Sequence, residues 1–177
     1  MTIGRSRALL SLMTPYFHLR AVPPSALRNS TTWLHRLFQD DWTTVRERIG
    51  RHREEVLDPG YLRYELLYTG GPCPHPAGQD TGADVVRGGR PVDPPDPDEP
   101  PFLLLTAAQV TQVAAFLTSA DFDSLWRRAR DEVLPQYGGE DAEPEARGVF
   151  AATHRDLTAF YAQTAHYGDA VVKWLVS

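Results

Sequence analysis

The two ends of the chain alternate apolar and polar residues with the two-residue period of a β-strand, while the periodic segments between them recur at helical spacing. Near the start, Tyr16-Phe17-His18-Leu19-Arg20-Ala21-Val22 places Phe17, Leu19 and Ala21 on one face and Tyr16, His18 and Arg20 on the other. Pro23-Pro24 ends that strand, because proline donates no ladder hydrogen bond. At the far end Asp169 opens a strand with Ala170, Val172, Trp174 and Val176 on one face and Val171, Lys173 and Leu175 on the other. Strands at both ends with helices between them predict an α+β fold, a small sheet built from the N- and C-terminal strands and packed against several amphipathic helices.

The helices announce themselves by caps and stripes. Thr31 or Thr32 caps a helix carrying Trp33, Leu34, Leu37 and Phe38. After a break at Gln39-Asp40-Asp41, the spacing of Trp42, Val45, Ile49, His52 and Val56 predicts one long helix, with Gly50 inside it costing about 1 kcal/mol relative to Ala. Asp58-Pro59-Gly60 is a turn signal, and Tyr61 to Tyr68 reads as a helix stopped by Thr69-Gly70-Gly71. Thr106-Ala107-Ala108-Gln109 fits a capping box, with Leu105 and Val110 placed for a hydrophobic staple. Its helix buries Val110, Val113, Ala114 and Leu117. A second helix from Asp121 carries Phe122, Leu125, Trp126, Ala129 and Val133, and a third from about Val149 carries Phe150, Leu157, Phe160 and Tyr161.

Residues 71–101 break the pattern with prolines, glycines and the acidic run Asp93, Asp96, Asp98 and Glu99. Such a stretch buries too little apolar surface to offset its ordering entropy, so it is expected to be a long loop outside the core, with Ala83-Asp84-Val85-Val86 as a short segment before the turn Gly88-Gly89. Neither flank has the elements for a core of its own. The expected organisation is therefore an extension over 1–12 and one domain over 13–177.

Composition narrows the function classes. With 18 Lys+Arg against 23 Asp+Glu the net charge is −5, which argues against a nucleic-acid footprint. The lone Cys73 has no internal disulfide partner, and no apolar run approaches the ~20 residues of a membrane span. The short run Ala8 to Met13 behind Arg5 and Arg7 falls below a signal-peptide core, so the expected location is cytoplasmic.

No motif assigns a catalytic residue. The six histidines lack metal-ligand spacing, and Cys73-Pro74-His75 has no second cluster to complete a tetrahedron, so no metal is expected. A Gly-x-Ser-x-Gly elbow is absent, and Gly70-Gly71 and Gly88-Gly89 fit neither the phosphate loop nor the dinucleotide fingerprint. No cofactor is expected. Two constellations remain as candidate ligand or partner sites. One is His18 and Arg20, with Tyr16, on the first strand; a strand face meeting helices would show the same residues. The other is Tyr61, Tyr64 and Glu65, with Tyr68, on the helix after Pro59; tyrosines at the edge of a core would look alike. The absence of a catalytic set, together with acidic loops at Asp93–Glu99 and Glu140–Glu145, leads to an expected non-enzymatic acidic binding or interaction domain. Its partner would be a protein with a basic surface, in an inhibitor or immunity-type role. The alternative is a small-molecule binder or enzyme with its pocket near Tyr61 and Glu65, which requires His18 and Arg20 to converge with them in one cleft.

The order of these segments resembles the YfbM-like family, bacterial proteins classed as a domain of unknown function, from about Met13 to Ser177. The similarity is carried by Leu105-Thr106-Ala107-Ala108-Gln109-Val110, by Leu157-x-x-Phe160-Tyr161 followed by Gly168-Asp169-Ala170-Val171-Val172, and by Gly88-Gly89-Arg90-Pro91-Val92. Tyr61 to Gly70 is similar to a helix that in relatives tends to carry a tryptophan and then a histidine, where this chain has Tyr61 and Glu65. The resemblance implies an α+β fold and carries no activity with it.

Overall fold

A computed structural model describes residues 15–70 and 81–176. The extension over 1–12 and the Cys73-Pro74-His75 run lie outside the described residues. The terminal strands lie side by side: β1 (Tyr16–Val22) pairs antiparallel with β5 (Ala170–Val176) along its whole length, Tyr16 opposite Val176 and Val22 opposite Ala170. They form the centre of a five-stranded sheet of order β2-β1-β5-β4-β3, with β2 at Glu54–Leu57, β3 at Arg90–Val92 and β4 at Phe102–Leu105. Every pairing is antiparallel. The helices are α1 (Thr31–Arg36), α2 (Trp42–Gly50), α3 (Tyr61–Thr69), the single turn α4 (Thr81–Asp84), α5 (Ala107–Ser119), α6 (Phe122–Val133) and α7 (Glu143–His166). This is an α+β fold.

Alternation along the strands gives the sheet two apolar faces and hence two cores. Phe17, Leu19, Leu57, Leu105 and Val171 pack with α3, α5, α6 and α7 in the larger one. Val22, Phe102, Leu104, Val172 and Trp174 pack with Leu34, Leu37 and Phe38 in the smaller. The capping box at α5 is formed in both directions: Gln109 N–H donates to the Thr106 hydroxyl at 3.2 Å and Thr106 N–H to the Gln109 carbonyl oxygen at 2.9 Å. At α1 the capping side chain is Ser30, one residue ahead of the expected threonines.

Three expectations are corrected. The stripe from Trp42 to Val56 is not one helix. α2 ends at Gly50, the chain turns through His52 at φ +57°, and Glu54–Leu57 becomes β2. Only Val45 of α2 is buried, so continuing the helix gained little, whereas β2 covers the otherwise open edge of β1 with Glu54 opposite Arg20. Second, the stretch 81–101 is not all outside the core. Val85 and Val86 are fully buried beneath α5 and α7, and Arg90–Val92 adds a strand to the sheet. Third, α7 starts at Glu143, with Pro144 in its first turn and Glu143 and Glu145 beside its positive dipole end. Part of the expected acidic loop is therefore helix.

Candidate functional site

α3 is held by the side of it that faces the core. Tyr64, Leu67 and Tyr68 are buried, the Tyr64 hydroxyl donates to Asp58 Oδ2 at 2.8 Å, and the Tyr68 hydroxyl meets His154 Nδ1 at 3.0 Å. Burial, and then the Asp58 carboxylate, push the Tyr64 phenol above its usual range. Gly70, at φ +73°, closes the helix as a left-handed cap. With those residues committed inward, Tyr61 and Glu65 stand one turn apart at the rim. The Tyr61 ring stacks on Phe17, with centroids 5.0 Å apart and planes 12° apart. Glu65 Oε2 accepts from Arg87 Nε at 2.8 Å and Nη2 at 2.6 Å.

Between α3 and the segment 83–89 lies a cleft of about 490 Å³, walled by Tyr61, Glu65, Asp84, Arg87, Pro101 and Leu103 among others. Its 83–89 wall is fixed from beneath by β5. Lys173 is fully buried, and its Nζ donates to the carbonyl oxygens of Asp84 at 2.5 Å and Gly88 at 3.0 Å. The Tyr161 hydroxyl donates to the carbonyls of Val85 at 2.7 Å and Asp84 at 3.3 Å. Burial pulls the Lys173 ammonium down to about 7, against the opposing pull of Asp84 and Glu65. Gly88 closes the turn so tightly that a Cβ there would lie 2.3 Å from Asp84 Oδ1 and 2.5 Å from Asp84 Cα.

The sequence-derived candidates divide across the sheet. Tyr61 and Glu65 line the cleft; Tyr64 points into the larger core and onto Asp58. His18 and Arg20 face the smaller core on the opposite side. There His18 Nδ1 lies 3.6 Å from Glu54 Oε1, too far to bond, and both atoms are buried without a hydrogen-bond partner. Arg48 bridges Glu54 and Asp40 at 2.8 Å each, and Arg20 Nη1 reaches Asp40 at 3.3 Å and the Leu37 carbonyl at 2.5 Å. Sequence reasoning missed Asp84, Arg87 and Lys173. For Lys173 a signal was present, since it stands between Val171 and Leu175 on an apolar strand face. Among the described residues no group of three or more His, Cys, Asp or Glu side chains is placed to hold a metal ion.

A five-stranded antiparallel sheet with helices on both faces defines the structural class, an α+β domain. Residues 26–174 match the domain of unknown function DUF1877, and the chain belongs to that family. The crystal structure of YfbM from Escherichia coli, a protein of unknown function, is similar in fold: TM-score 0.58, covering 93% of this chain and 100% of that one, at 16% identity. No curated protein matches the chain. Among the described residues no helix is long and apolar enough to cross a membrane.

Proposed function

We propose that this is a small-molecule-binding domain and that its ligand sits in the cleft between α3 and the segment 83–89. The observation that carries the reading is that a buried lysine amine is spent on the shape of one wall. Lys173 loses its hydration to hold two backbone carbonyls of the 84–88 turn, an arrangement with a desolvation cost that a plain surface loop does not require. The cleft so fixed joins an apolar wall to the Glu65–Arg87 pair, the combination of apolar bulk and few polar groups found in ligand sites. The reading is of binding, carried by the shape and chemistry of the described walls. Heteronuclear NMR with a fragment library tests it. Fragments that bind shift the amides of Tyr61, Glu65, Arg87 and Gly89 together, and the Tyr61→Ala variant loses those shifts while remaining folded. Hits scattered over other surfaces count against the cleft.

A second reading is recognition of a protein partner with a basic surface, in an inhibitor or immunity-type role. It draws on the exposure of Asp93, Asp96 and Asp98 and of Glu140, Asp141 and Glu145. Its mark is a complex that weakens with salt and is lost in Asp96→Lys/Asp98→Lys.

A further inference from the structure

We infer that the ligand of this cleft presents a neutral carboxamide head on a flat apolar body; the inference rests on the cleft reading above and names the chemistry it selects. The Glu65–Arg87 pair does not use all of its own hydrogen-bonding capacity. Both donors that Arg87 commits, Nε and Nη2, go to one oxygen, Glu65 Oε2. Glu65 Oε1 and Arg87 Nη1 stand outside those two bonds. The cleft lining therefore includes a recessed carboxylate, its side chain 14% exposed, beside a guanidinium at the rim, its side chain 51% exposed, each with hydrogen-bonding capacity beyond the pair itself.

A charged head is poorly matched to that pair. An ammonium gains Glu65 but lies against the Arg87 guanidinium, with the Lys173 amine behind the wall. A carboxylate gains Arg87 but lies against Glu65, with the Asp84 side chain also in the wall. Either places a charge beside its like in a partly dry site, which disfavours it against a neutral head. A primary carboxamide adds no charge, offers an N–H to Glu65 Oε1, and accepts from Arg87 Nη1 through its carbonyl oxygen. Recognition by a fixed donor beside a fixed acceptor also rejects heads that leave one of the two unpaired. The body follows from the remaining wall. Phe17 and Tyr61 form a stacked plane, and Pro101, Leu103 and Leu175 supply apolar surface around it, which suits a planar ring.

Three probes with one body and three heads test the inference: benzamide, benzoate and benzylammonium, each titrated into the ¹⁵N-labelled full chain. Benzamide is expected to shift Tyr61, Glu65, Arg87 and Gly89 and to bind at least about tenfold more tightly than either charged probe, a difference of about 1.4 kcal/mol. Arg87→Met is expected to weaken benzamide and strengthen benzylammonium, and Glu65→Gln to strengthen benzoate, with the spectrum of each variant showing that the fold is kept. A charged probe that binds the cleft as tightly as benzamide overturns the head assignment while leaving the cleft as a binding site. Failure of all three probes to shift cleft residues overturns the assignment and the cleft reading together.

Discussion

Lys173 and Asp84 lie 89 positions apart in sequence, and the hydrogen bond from Lys173 Nζ to the Asp84 carbonyl, 2.5 Å long, ties the central strand β5 to one wall of the cleft. A second bond to the Gly88 carbonyl makes the tie two-pronged, so the turn between these residues is held at both ends by one amine.

Replacing that amine isolates its contribution. Lys173→Met keeps the unbranched apolar stem, one atom shorter, and leaves both carbonyls without this donor. The Gly88 carbonyl loses its side-chain donor and the Asp84 carbonyl keeps only the longer bond from Tyr161; an orphaned buried group costs about 1–3 kcal/mol, so the urea midpoint falls. The pH dependence gives a second readout. Burial holds the Lys173 pKa at about 7 in the fold, against 10.5 for a free lysine. Between these values the unfolded chain binds more protons than the folded one, so this group makes stability rise as pH increases. From pH 7 to about 9.5, below the range where the buried tyrosines titrate, wild-type stability is expected to climb more steeply than that of Lys173→Met. Parallel curves contradict the assignment.

Glu55 gives the opposite slope. It is buried on β2, and burial first, then the nearby Asp156 and Glu54, raise its carboxyl to about 7 from 4.5. The folded chain keeps this proton where the unfolded chain releases it. Its contribution is therefore complete below pH 4.5 and is lost as pH rises through 7. Glu55→Gln, which stays neutral, is expected to be more stable than wild type at pH 8 and to show little advantage at pH 4.5, measured by urea unfolding at both values.

On the other face, Glu54 is fully buried and its Oε2 depends on Arg48 Nε at 2.8 Å. Arg48→Met strands that carboxylate, and a buried charge left without its partner costs about 3–5 kcal/mol. The double variant Arg48→Met/Glu54→Leu removes both charges and is expected to recover much of the loss in a denaturant titration. A single variant within 1 kcal/mol of wild type, a small change by the standard of such pairs, means solvent or another group compensates the charge.

Gly88 is a packing constraint. Its hydrogen faces Asp84 where a methyl group has no room, so Gly88→Ala forces the turn away from Asp84 and Lys173. A loss of about 1–3 kcal/mol is expected, the range for overpacking a closed site. Faster hydrogen exchange at Val85 and Val86 would place the damage in this wall; exchange unchanged there would contradict it.

The sequence spoke clearly where one local rule was enough. The alternation of Tyr16–Val22 and Ala170–Val176, the capping box at Thr106 and the glycine stop at Gly70 each appear in the fold as their residues suggested. It spoke poorly where a distant partner decided. Glu54–Leu57 carries a helical stripe at Val56, yet the edge of β1 draws it into the sheet. Arg90–Val92 and Phe102–Leu105 are too short to show a period, and only pairing with each other and with β5 makes them strands. The cleft was half legible: Tyr61 and Glu65 share a helix side, but Arg87 meets Glu65 only after Lys173 has placed the turn that carries it. His18 and Arg20 looked like companions of that helix because a one-dimensional reading does not say which side of a sheet a strand face meets.

A crystal structure of the chain soaked with benzamide tests the cleft most directly. Density for the ring is expected against Tyr61, with the amide nitrogen within hydrogen-bond distance of Glu65 and the amide oxygen facing Arg87. An empty cleft at saturating probe, with the ring bound elsewhere on the surface, would contradict it.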